Sequence, residues 1–327
     1  MKSIKICIIC LFLSYSFVCN SQIPYIYDYD HFTDTNTTKS TKHSYFGLHH
    51  TPKGNLHVLV IFVGYTNTTS ADDVGYGNMY WAHNDIPVWA QGNSNFLFDS
   101  EASTIGSKKN LSSFYYDMSN GEFLLTGDVF PVQVMIPPNE GFSHINTYIN
   151  ANYPNFNWGK YDNRTNSPSF SYDNSMTSPD NKVDYVYVVF RNFCGFNGST
   201  GAPLGNVTTT YSVNLGHKAL CCDYDYEKHW IFFKHEFAHN IYNSSHYFGG
   251  NSNGADGMYF YTQKGWGLIS EWGQPFDVAN AWERWWHGWL EPQEITTNGI
   301  YYLKDQITEG DALKILIPNT DNEYLWI

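Results

Sequence analysis

Positive charge is scarce in this chain. Its 327 residues hold 18 Lys and Arg against 31 Asp and Glu, a formal net charge of −13. A nucleic-acid partner requires a basic face that neutralises phosphates, so this balance argues against one. The acidity reads instead as solubility outside the cell. Cysteine is also sparse: of six residues, Cys7, Cys10 and Cys19 fall within the first 21 positions. The other three, Cys194, Cys221 and Cys222, lack zinc-finger spacing. Long apolar runs are missing beyond the first 21 residues, so no membrane span is expected.

Those first 21 residues read as an export signal. Lys2 and Lys5 precede the apolar run ICIICLFLSYSFV, and Cys19-Asn20-Ser21 offers small residues for cleavage before Gln22. The expected product is secreted. In an oxidising compartment one disulfide is expected, from Cys194 to Cys221 or Cys222, because adjacent cysteines rarely bond to each other. It would pin the loop that leads into a helix expected from residue 225.

Aromatic residues are plentiful, at 18% of the chain with 26 Tyr and 11 Trp, and hydrophobic residues make up 42%. This is the composition of a folded protein long enough to bury a full core. Residues 22–55 are polar, with little periodicity, and read as a lead-in or propeptide remnant; His49 and His50 read as paired surface histidines. Leu56–Tyr65 (LHVLVIFVGY) is a continuous apolar run, the mark of a central strand buried on both faces. Residues 79–118 hold helical stretches, including 111–119. Asn120-Gly121 is a turn signal, after which residues 122–136 read as a hairpin-like pair of strands. A helix is expected over 142–153, a surface loop over 155–181, and a second core strand over Lys182–Asn192. Residues 195–210 are rich in Gly, Thr and Asn and could border a cleft. Helices follow at 225–242 and 278–289, and alternation from Gly299 onward predicts strands. The main domain is therefore placed at 56–298, with the start of a C-terminal β region at 299–327.

The chemistry concentrates in HEFAHNIYNSSH, His235 to His246. On a helix, His235 and His239 leave one face a single turn apart, a spacing at which two imidazoles can hold one Zn²⁺. Glu236 is then placed to act on a metal-bound water as general base. A catalytic zinc site needs a third protein ligand, and His246 is the first candidate. If the helix continued, His246 would lie about 10 Å beyond His239 at ~1.5 Å per residue, too far to share an ion. The chain must turn back after His239, which Asn240, Asn243, Ser244 and Ser245 permit. Asp256, Glu271 and Glu283 are rivals for the third position. GGNSNGADG, after His246, has oxygens suited to Ca²⁺ but matches no defined calcium loop and reads more simply as a Gly-rich turn.

Several motifs in order resemble the immune inhibitor A family of secreted bacterial metallopeptidases, a metzincin-like group. They are LHVLVIFVGY, NLSSFYYDMSNGEFLLTGDV (110–129), KVDYVYVVF, HEFAH, AWERWWHGWLEP (281–292) and EYLWI. The resemblance covers most of residues 56–327. It implies an α+β or α/β fold with a twisted mixed sheet and an active-site HExxH helix. It further implies a zinc endopeptidase acting on protein or peptide substrates, with His235 and His239 as ligands and Glu236 as base. Some members of that group also bind calcium, so structural Ca²⁺ is a further expectation. Two departures stand out. The metzincin pattern HExxHxxGxxH has Tyr242 and Ser245 where its Gly and third His belong, with His246 one residue late. In GWGLIS (265–270), Ile269 stands where a Met-turn methionine is expected, and Met258 is a weak substitute. A different function, a protease-like module that binds glycans or proteins, is suggested by the aromatic content. Trp285, Trp286 and Trp289, however, have the helical spacing of core residues.

Overall fold

The β-branched run around residue 60 forms the centre of a parallel sheet. The computed structural model describes residues 50–67, 81, 84–92, 97–105, 110–137, 143–165, 178–191, 205–206, 208, 210–213, 218–222, 226–241, 267–268, 278–320 and 324–327. In chain order the elements begin with strand β1 (Gly54–Tyr65), helix α1 (Leu111–Met118), strands β2 (Phe123–Val129) and β3 (Val134–Ile136), and helix α2 (Ser143–Asn152). Strand β4 (Val186–Phe190), a small hairpin of β5 (Gly205–Asn206) and β6 (Ser212–Val213), strand β7 (Lys218–Cys222) and helix α3 (Tyr226–Ile241) follow. Helix α4 (Ala281–Trp286), β8 (Gln293–Ile295), α5 (Gln306–Glu309), β9 (Leu313–Leu316) and β10 (Tyr324–Trp326) complete the set.

The main sheet runs β2-β1-β4-β7, with β3 also paired to β1. Every pairing in it is parallel. The expectation of a mixed sheet therefore holds only for the small C-terminal one, where β9 pairs antiparallel with β10 and parallel with β8. Parallel strands need covered faces, and β1 supplies one core on each. Leu56, Val58, Val60 and Phe62 join the core that contains α1 and α3, while Leu59, Ile61 and Val63 join Ile145 and Ile149 of α2 on the other side. No helix among the described residues is long and apolar enough to cross a membrane.

The hairpin expected over 122–136 is not formed. Asn120 and Gly121 both have left-handed backbones, at φ 55° and 83°. Their amides donate to Asp117 O at 3.1 Å and Tyr116 O at 2.8 Å, which closes the C-terminus of α1. The doublet is thus a helix stop. Strands β2 and β3 then run in the same direction along one edge of β1. Val60 pairs with Val129, an offset of 69, and Val63 with Val134, an offset of 71, so two extra residues bulge between them. Pro131, which has no N–H to donate, sits in that bulge.

Other expectations need smaller corrections. His50 is not a surface residue: it is buried, and its Nε2 donates to the backbone oxygen of Asp184 at 2.8 Å. The helical stretches expected within 79–118 are present among the described residues as a 3-10 turn at Val88–Ala90 and as α1. The strands expected after Gly299 are interrupted by α5, capped by Asp305 and ended by Gly310 in the left-handed region. The signal segment, Cys194, the residues that follow Ile241 up to 266, and Ile269 lie outside the described residues.

Candidate metal centre

Helix α3 enters the core face of the sheet and is buried from Phe232 to Ile241. Phe232, Phe233, Phe237, Ala238 and Ile241 supply its apolar contacts. Buried polar groups on such a helix need specific partners, and three tyrosines set its position. Tyr115 of α1 donates its hydroxyl to Lys234 O at 2.5 Å; Tyr187 of β4 donates to Phe233 O at 2.7 Å; Tyr185, just before β4, donates to Glu236 O at 3.0 Å. A carbonyl has two lone pairs, so it can serve the helix ladder and a tyrosine together. Burial holds all three phenols well above their ordinary pKa, so they remain neutral donors. These contacts fix both the rotation of α3 and its height over the sheet.

With the helix so held, the two histidines converge. His235 is fully buried and His239 nearly so, and their Nε2 atoms lie 3.1 Å apart. Nδ1 of His235 lies 2.7 Å from Leu268 O. A carbonyl can only accept, so Nδ1 carries the proton and Nε2 presents its lone pair. A backbone or carboxylate partner on the far nitrogen is the usual support of a metal-ligating histidine. Two nitrogens bound to one tetrahedral ion at 2.0–2.1 Å would be about 3.3 Å apart, close to the separation seen here. The pair therefore fits a zinc ion.

Glu236 is 4% exposed, and burial pushes its carboxyl up to about 8. Among the described residues no hydrogen bond reaches its side chain. Glu283, a rival for the third ligand position, is engaged elsewhere. Its Oε2 accepts from Leu268 N at 2.9 Å and Asn280 N at 2.7 Å, the latter as half of a capping box on α4. No group of three or more His, Cys, Asp or Glu side chains able to hold one ion occurs among the described residues. His246, Asp256 and Glu271 lie outside them, as does GGNSNGADG.

Sequence reasoning did not find the tyrosine contacts. A usable signal was present, since Tyr185 and Tyr187 stand on one face of a strand that is otherwise apolar, and a buried phenol needs an acceptor. The tryptophans near α4 divide between two environments. Trp289 is buried and donates to Pro52 O, whereas Trp285 packs against Trp326 and lies under Lys314. No protein-family model matches this chain, and no curated protein sequence does.

Proposed function

We propose that the chain is a secreted, metzincin-like zinc endopeptidase, as its ordered motifs and their resemblance to the immune inhibitor A family imply. The observation that carries this is the 3.1 Å approach of two buried imidazole nitrogens, one held in its metal-binding tautomer by Leu268 O. His235 and His239 would hold the ion through Nε2, and a third ligand would come from outside the described residues, with His246 the leading candidate. Bound Zn²⁺ supplies a water of lowered pKa and an electrophile for the scissile carbonyl. Glu236 is the proton carrier: its carboxylate takes the proton of the attacking water and delivers it to the leaving amine nitrogen.

The test is casein or gelatin cleavage alongside zinc analysis. Glu236→Ala is expected to lower turnover by roughly 10²–10⁴-fold, the span of general acid–base catalysis, with zinc content intact. Retained activity in that variant would remove Glu236 from the mechanism. Wild-type protein that cleaves equally well after chelation would remove zinc.

A further inference from the structure

We propose that Glu283 is a positioning residue for the metal pair, acting on His235 through the backbone of Leu268. This rests on the zinc reading above. Glu283 lies on α4, far along the chain from α3, and is completely buried. Its Oε2 accepts the Leu268 amide at 2.9 Å, while the Leu268 carbonyl accepts from His235 Nδ1 at 2.7 Å. A single residue thus connects the carboxylate to the imidazole. The Leu268 side chain, also fully buried, packs into the core shared with α3.

The bond to Leu268 is additional to helix capping. The capping box needs only the Asn280 amide, the Glu283 amide and the two side chains. The backbone before Leu268 is also fitted to this carboxylate. A Cβ on Gly267 would stand 2.9 Å from Glu283 Oε1 and 2.8 Å from Asn280 Nδ2, so a larger residue there would push one of these side chains aside. With the Leu268 amide held, its carbonyl stays within reach of Nδ1, and Nε2 keeps its lone pair for a cation. Without that anchor, His235 can exchange to the tautomer that carries its proton on Nε2, whose Nε2 has no lone pair to offer a metal. Supports one step removed from a metal typically govern roughly 10–100-fold in affinity.

The experiment measures zinc affinity by competition with a chromophoric chelator, using the whole chain and its Glu283→Ala, Glu283→Gln and Asn280→Ala variants. Ring-nitrogen NMR of ¹⁵N-histidine-labelled, metal-free protein reads the His235 tautomer in each. Glu283→Ala is expected to weaken zinc binding roughly 10–100-fold and to populate the Nε2–H tautomer of His235. Glu283→Gln keeps an oxygen acceptor and should restore both properties to within a few-fold of wild type. Asn280→Ala removes the side-chain cap but keeps the Glu283 carboxylate and the backbone amide it accepts from, and should leave affinity and tautomer unchanged. If Glu283→Ala does not fold, Glu283→Asp, one methylene short of Leu268, replaces it with the same expectation. Unchanged affinity and tautomer in the Glu283 variants would overturn the proposal, as would an equal loss in Asn280→Ala. Wild-type protein that binds no zinc would sink the zinc reading instead, and the tautomer measurement would still decide the role of Glu283.

Discussion

Two histidines in different regions of this fold each have a ring nitrogen tied to a neighbouring element, yet only one arrangement suits a metal. His57 on β1 lies between two side chains of β2, with Nδ1 2.9 Å from Thr126 Oγ1 and Nε2 2.9 Å from Asp128 Oδ2. Asp128 also accepts from Tyr161, and Lys160 lies 2.5 Å away. In outline this is a hydroxyl–imidazole–carboxylate relay. Both nitrogens are engaged and the site carries its own counter-charges, so the ring acts as a partly exposed strut between parallel strands. His235 has one nitrogen bonded to a neutral carbonyl and the other turned toward a second imidazole inside the core. Two imidazole nitrogens 3.1 Å apart in the core are what an incoming ion could stabilise. The difference lies in what the second nitrogen faces.

The largest test of that contrast is metal stoichiometry. His235→Ala and His239→Ala should each lose zinc by more than the roughly 10–100-fold that removing a supporting group costs. His57→Ala should leave zinc content and turnover at wild-type levels, and a loss of metal there would erase the distinction. A smaller effect separates the tyrosines that serve the two regions. Tyr185→Phe removes the bond to Glu236 O and Tyr161→Phe the bond to Asp128. Each is expected to cost about 1 kcal/mol in chemical unfolding. Of the two, only Tyr185→Phe should also weaken zinc binding, since only Tyr185 touches α3.

The smallest effect concerns pH. The hydrogen bond from His57, with help from Lys160 and Tyr161, holds the Asp128 carboxyl well below its ordinary value. A carboxylate whose folded pKa is depressed adds stability above its unfolded pKa, near 4, and loses it as pH falls further. The group is about a third exposed, so the contribution at neutral pH is on the order of 0.2–1 kcal/mol. Asp128→Asn should flatten the acid limb of the stability profile without changing zinc affinity. Unfolding midpoints from pH 7 down to pH 3 would show it.

The parts of the fold that were legible in the sequence are those with one-dimensional signals. The unbroken apolar run of β1 announces a strand buried on both faces, and HEFAH announces two imidazoles on one helical face. Asn120-Gly121 misled because the same left-handed backbone serves a hairpin turn and a helix stop, and only the direction of the next strand tells them apart. The four residues of α5 are too few to show a helical period, although Asp305 and Gly310 mark its ends. The supports of the candidate centre were hidden for another reason. Tyr115, Tyr185, Leu268 and Glu283 come from four separate stretches, and their common purpose exists only once the sheet has brought them to α3.

The bulge between β2 and β3 has a consequence for how these molecules behave when crowded. The outer edge of a parallel sheet offers unpaired amides and carbonyls on which another chain can grow. Among the described residues no strand pairs with the outer edge of β2; that strand ends at Val129, and a strand added there would then meet Pro131 and a two-residue change of register before β3 resumes. An incoming strand aligned with the first segment is out of step with the second. The change of register between β2 and β3 therefore makes this edge a poor template for one continuous added strand.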